Sequence, residues 1–207
     1  MRGLLLKDWL VISKQAKVYF VLMAVFALMP GMGIYSIFFG ALLPMTAFAY
    51  DERSRWDTMA RMMPYSFLEM VAGKYLFGYL MVGGIVLLEM MIQILYCLTG
   101  INSLSVGESM QGIWIPAVAA LNVMALQMPV IFWLGVEKTR IFLMFVTIGT
   151  MMVLQTAFFP MVLEFNAPVP ELGLPVELAV LGVTVLLQLL SLWVSEKLYR
   201  CNPERKR

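Results

Sequence analysis

The sequence predicts an all-α integral membrane fold, and three observations carry the prediction. Hydrophobic residues make up 61% of the 207 and charged residues 14%, with a mean hydropathy of +0.84; a soluble domain carries roughly 45–50% apolar and about 25% charged residues. All fifteen Lys and Arg fall into four groups: Arg2, Lys7, Lys14 and Lys17; Arg53, Arg55, Arg61 and Lys74; Lys138 and Arg140; and Lys197, Arg200, Arg205, Lys206 and Arg207. The stretches between these groups are apolar and long enough to cross a bilayer. If each stretch crosses an even number of times, every positive charge lies on one face, and positive residues are retained on the cytoplasmic side during insertion. The expectation is a single membrane domain over residues 1–207, in the cell (inner, cytoplasmic) membrane, multi-pass, with both termini in the cytoplasm.

Residues 1–17 read as an amphipathic helix lying in the interface. Leu5, Trp9, Ile12 and Ala16 fall on one face, with Leu6 and Leu10 beside them, and Lys7, Lys14 and Lys17 on the opposite side. Val18 to Tyr50 contains no charge. Its 33 residues are tight for two passes, which need about 40, and Pro30-Gly31-Met32-Gly33 supplies a turn. We read a short hairpin of spans at about 18–32 and 34–50. Further spans follow at about 75–99, 110–134, 141–163 and 174–195, six in all. Residues 51–74 form an inner loop, 135–140 a shorter one, and 101–109 and 164–175 outer loops without Lys or Arg.

The 51–74 segment is the most organised polar region. Asp51 can cap a helix through the free N–H groups of its first turn. Glu52 pairs by spacing with Arg55, and Asp57 with Arg61. Trp56, Met59, Ala60 and Met63 recur at i, i+3, i+4 and i+7 as an apolar stripe, and Pro64 ends the helix. Ser66-Phe67-Leu68-Glu69 is a capping box, so the third span begins as a helix below the membrane surface. The stripe can dock a cytoplasmic protein or cover the ends of the spans; periodicity does not choose between them.

Glu89 is the acid deepest inside a span. A charge at the centre of a membrane helix costs about 2.5–3.5 kcal/mol on insertion scales, so a neutral carboxyl, a polar partner or a wet cavity is expected. Gln93 lies one turn later on the same face. The pair either lines a substrate path or subunit interface, or is held by a neighbouring helix. Asn122, Gln127, Gln155 and Gln188 read as interhelical hydrogen-bonding groups. The nineteen Met side chains suit surfaces that accept varied apolar partners, or simply face lipid.

No residue is His, which removes imidazole catalysis and His metal ligation. Cys97 and Cys201 lie at different levels, and Gly73-Lys74 lacks the first glycine of a phosphate loop. No catalytic residue, metal site or cofactor is expected in this chain. The basic clusters are expected to meet anionic lipid, with no nucleic-acid partner.

Lys7-Asp8, Asp51-Glu52 with Trp56-Asp57, Pro64, Val71 with Lys74-Tyr75, and Gly135 with Glu137-Lys138 and Arg140 together resemble the permease subunits of ABC-2-type ABC transporters. The likeness is to the small six-span bacterial branch that includes exporters of phenol-soluble modulins and other antimicrobial peptides. It covers nearly the whole chain, departing after the loop proline, where the branch often has a basic residue and this chain has Tyr65-Ser66. The resemblance implies a half-transporter that pairs with a second permease, identical or a sister chain, on separate ATP-binding-cassette ATPase subunits that hold ATP and Mg. It implies that 51–63 is the coupling helix, with Asp51, Glu52, Arg55, Trp56, Asp57, Met59 and Met63 at the ATPase. It also implies a second contact through Glu137, Lys138 and Arg140. Export of amphipathic peptides or other apolar molecules is the expected activity. Two rivals are an ATP-independent channel or proton-coupled carrier centred on Glu89, and a peptide-binding immunity protein.

Overall fold

The computed structural model describes residues 2–15, 17–29, 32–60, 62–63, 66–100, 106–163 and 174–201; among them lie eight helices and no strand. They are α1 (Arg2–Gln15), α2 (Lys17–Leu28), α3 (Gly33–Arg53), α4 (Trp56–Ala60), α5 (Phe67–Thr99), α6 (Val106–Leu134), α7 (Val136–Leu163) and α8 (Leu174–Cys201). Four of them, α3, α5, α6 and α8, contain stretches long and apolar enough to cross a membrane, and α1 with α2 makes a fifth if that bent pair is one span. The protein is an all-α, multi-pass membrane protein.

Local sequence accounts for the helix ends. Ser66 Oγ accepts from the Glu69 N–H and the Glu69 carboxylate accepts from the Ser66 N–H, closing the capping box. From there α5 runs 33 residues without a proline and stops at Gly100, whose φ of +72° suits a residue without Cβ. Gly135, at φ +79°, turns the chain from α6 directly into α7. Pro44 lies inside α3, and Pro116 and Pro129 inside α6; membrane helices tolerate them because neighbouring groups take up the freed backbone.

The buried centre is built by α3 and α6, whereas α5 and α8 turn most of their apolar surface outward. One core cluster joins Phe48, Tyr75, Met124, Met128, Phe132 and Tyr199; a second joins Ile12, Leu43, Phe77 and Met81. Where both solvent and core are apolar, hydrogen bonds between helices hold the packing. Tyr75 Oη shares hydrogen bonds with Ser191 Oγ (2.6 Å) and Ser195 Oγ (2.8 Å). Tyr79 donates to Gln188, which donates to the Leu121 carbonyl. Gln127 donates to the Ala41 carbonyl and Asn122 to Thr184. Three of the four expected amides thus bridge helices; the Gln155 side chain lies outside the described residues.

Several expectations need correction. The predicted 18–32 span is the 12-residue α2, about 18 Å long against a hydrocarbon core of about 30 Å, and it meets α1 at 78°. In α1, Leu4, Asp8 and Ile12 face the bundle, while Trp9, Leu6 and Leu10 are exposed; the predicted Leu5–Trp9–Ile12 face is therefore split. Asp51 does not start a helix, because α3 continues to Arg53. In place of a helix over 51–63, the end of α3 is followed by a turn and the five-residue α4. Of the inner loop 135–140, only Gly135 is outside a helix, and α6 begins at Val106, inside the predicted outer loop. The loop cores at 101–105 and 164–173, Arg61, Pro64, Tyr65 and the tail after Cys201 lie outside the described residues.

Candidate functional site

Four charged side chains from three helices meet where α3 ends. Lys7 and Asp8 come from α1, Asp51 from α3 and Lys74 from α5. Lys7 Nζ lies 2.6 Å from Asp51 Oδ1 and 3.0 Å from Asp8 Oδ1. Lys74 Nζ lies 2.8 Å from Asp8 Oδ1 and 2.5 Å from Asp51 Oδ2. Each carboxylate therefore holds both ammonium groups, and the charges sum to zero. Asp8 and Asp51 are buried, at 2% and 6% exposure. Desolvating charges costs several kcal/mol per ion in practice, and only good geometry with full pairing offsets it. Here the alternating square supplies both.

Aromatic rings close the square. Lys7 Nζ sits 4.3 Å from the Trp56 ring centroid and Lys74 Nζ 5.1 Å from that of Phe48. Ring faces attract cations by about 0.5–1 kcal/mol at exposed sites and more when desolvated. Beside the square is a cavity of about 20 Å³, lined by Asp8, Asp51, Trp56, Gly73 and Lys74 among others; that is room for about one water among polar groups.

Glu52, next to Asp51, reaches the other way. Its Oε2 accepts from the Val136 N–H at 3.0 Å, satisfying a free donor at the start of α7 and placing a negative charge at that helix's positive end. Glu52 is thus engaged across the fold, and no Glu52–Arg55 ion pair forms among the described residues. Arg55 instead takes the turn into α4 at φ +51°, a left-handed conformation that is uncommon for a residue with Cβ. The junction Asp51–Trp56 consequently ties together α1, α3, α4, α5 and α7.

The predicted stripe on α4 divides. Ala60 is buried and Trp56 half-buried against Lys7, whereas Met59 is exposed, and so are Met62 and Met63 just beyond the helix. Met62, which the periodicity passed over, is the most exposed of the three at 81%. The Asp57 side chain lies outside the described residues. Glu137 and Lys138 are exposed in the first turn of α7. Arg140 is exposed too, but its side chain lines a groove between α2, α3 and α7.

Glu89 stands far from this junction. It is buried at 1% exposure against the first turn of α3. A Cβ at Gly33 would come within 2.5 Å of Glu89 Oε2, so any larger residue there requires the carboxyl to move. Glu89 Oε1 and Ser36 Oγ have no hydrogen-bond partner among the described residues. The end of a helix where N–H groups are unpaired and the dipole is positive is a favourable place for an acid. Gln93 is only half-buried and does not share that enclosure.

Sequence reasoning missed Lys7, Asp8 and Lys74 as a unit with Asp51. Their pairings span 44, 23 and 66 residues, beyond any helical spacing rule. The available signal was the recurrence of an acid or base at the inner edge of three apolar stretches.

The fold and the junction define the class as a helical, multi-pass membrane domain. The chain belongs to the ABC-2 family of transporter proteins, whose family model matches residues 3–200. Neither a curated protein nor a solved structure matches it. Membership makes the chain a permease subunit of an ABC transporter; such subunits are typically non-catalytic, work in the lipid bilayer and imply an ATPase partner.

Proposed function

We propose that this permease is the membrane half of an ATP-driven exporter in the cell membrane, moving amphipathic peptides or other apolar molecules. In this reading both termini and the junction face the cytoplasm, the chain crosses six times, and a second permease completes the path. ATP and Mg are bound by the ATPase, which docks on α4. Asp51 and Glu52 anchor that contact; Arg55, Trp56, Asp57, Met59 and Met63 form it, with Glu137 and Lys138 to one side.

The observation that supports the reading most is the pairing of an exposed apolar patch with a rigid mount. Met59, Met62 and Met63 are open, while Trp56, one turn back from Met59, rests on Lys7 of the buried square. A push on α4 is then delivered to α1, α3 and α5 together and not absorbed by a loop, as rigid-body alternation requires. Glu89 would serve the path as a buried group at the far end of α3.

The test is co-reconstitution with the partner ATPase in inverted vesicles. Met59→Glu is expected to abolish stimulation of ATP hydrolysis and Trp56→Ala to reduce it about tenfold, which is about 1.4 kcal/mol of coupling. Wild-type vesicles should accumulate labelled peptide only when ATP is added. Full coupling in Met59→Glu, or flux without the ATPase, would overturn the proposal.

A further inference from the structure

The groove that Arg140 lines has no role in the reading above. It is a cavity of about 400 Å³ between α2, α3 and α7. Its walls are apolar and aromatic: Phe26 stacks on Phe39 and packs against Tyr35, with ring centroids 5.6 Å apart in both pairs, and Met144 and Ile148 face them from α7. Among the described residues one charged side chain lines it, Arg140, and it forms no ion pair with any of them.

The groove has direction. Along α3 its lining runs from Tyr35 to Ala49, which is about 21 Å at a helical rise of about 1.5 Å per residue. Arg140 enters at the basic end, one turn after the α7 start that Glu52 caps. Tyr19, two residues after Lys17, lines the groove from α2. One leaflet of hydrocarbon is about 15 Å deep, half of a core of about 30 Å. A chain anchored at Arg140 can therefore lie along the aromatic wall through its whole leaflet.

We infer that this groove holds one anionic phospholipid of the cytoplasmic leaflet, its phosphate on Arg140 and an acyl chain along Phe39, Met144 and Ile148. Charge complementarity selects the headgroup: a lone cation at headgroup depth draws anionic lipid, and a guanidinium matches phosphate oxygens two at a time. The apolar wall selects the chain. The inference rests on the orientation proposed above, with the basic end in the cytoplasm. It also draws Arg140 away from the ATPase contact that the family resemblance implied.

The experiment uses the full-length protein in phosphatidylcholine nanodiscs containing phosphatidylglycerol, with a photoreactive acyl chain on one lipid or the other. Phosphatidylglycerol should label α3 and α7 at the groove at least fivefold more than phosphatidylcholine at equal mole fraction. Arg140→Gln should abolish that preference, Arg140→Lys should keep part of it, and Lys14→Gln, an exposed charge elsewhere, should leave it intact. Equal labelling by both lipids, or an unchanged preference in Arg140→Gln, would overturn the inference. So would replacement of lipid labels by chain-to-chain cross-links from Met144→Cys, which would give the groove to a second permease. ATPase association is read in a separate pull-down, so loss of the exporter reading and loss of the lipid site are distinguishable.

Discussion

Two buried acidic sites, one against the foot of α5 and one on α5 itself, obey opposite rules. At the basic end, Asp8 and Asp51 are each gripped by two lysines, and every charge has a countercharge within 3.0 Å. Fifteen residues further along α5 from Lys74, Glu89 is equally hidden, yet its Oε1 has no hydrogen-bond partner among the described residues, and it lies against Gly33 and Ser36 at the start of α3. The first site is closed in charge and joins three helices. The second is closed only in shape. A site closed in charge resists any single change, because removing one member leaves an uncompensated charge in a dry place. A site closed in shape should tolerate loss of its charge and resist added volume.

Four measurements can break or sharpen that contrast. The largest effect should come from Lys74→Met, which leaves two carboxylates facing one ammonium. It should cost about 3–5 kcal/mol, seen as loss of monodisperse protein or a large fall in Tm in detergent. Adding Asp51→Asn restores neutrality and should recover much of that loss. A double variant no more stable than the single one would show that neutrality does not hold the square together.

Next in size is Gly33→Ala, which drives a methyl group into the Glu89 carboxyl and should cost about 1–3 kcal/mol. Most of that should vanish in a Glu89→Ala background, a coupling that a double-mutant cycle measures directly. Equal penalties in both backgrounds would mean that Glu89 does not fill that space.

Glu52→Ala comes third. It removes the acceptor from the Val136 N–H and should cost about 0.5–2 kcal/mol, the range for a lost helix cap, whereas Glu52→Gln retains an acceptor and should cost less. The smallest stability change is expected of Glu89→Gln, which keeps shape and removes charge: under about 1 kcal/mol. A fall as large as that of Lys74→Met would erase the distinction between the two sites.

How far the fold was legible follows from the range of the forces that set it. Apolar length, the Ser66–Glu69 box and the turn glycine Gly135 act locally, and each is visible in a few consecutive letters. The break placed between an interfacial helix ending at 17 and a span starting at about 18 falls within two residues of the bend between α1 and α2; the shortness of α2, which ends at Leu28, was not visible. At the junction, spacing paired Glu52 with Arg55, three residues away, whereas the fold sends Glu52 to a backbone donor 84 residues distant. The square of Lys7, Asp8, Asp51 and Lys74 escaped for the same reason. The exposed Met59 was visible as part of a stripe; Met62 and Met63 both lie past the end of α4, so the periodicity that included Met63 and passed over Met62 does not govern either. Glu89 was visible as an anomaly, and its partner is an absence, the missing side chain of Gly33, which no spacing rule detects.

One feature of α5 gives the junction its reach. With 33 residues and no proline, it is a continuous rod of about 50 Å, held near its foot by Lys74, while the two central helices beside it contain prolines. Leverage then follows from length: a tilt of about 5° about the foot swings the head through about 4 Å, nearly the width of a methylene chain. By the same geometry, a sub-ångström adjustment where the square sits would correspond to a gap of molecular size at the opposite rim.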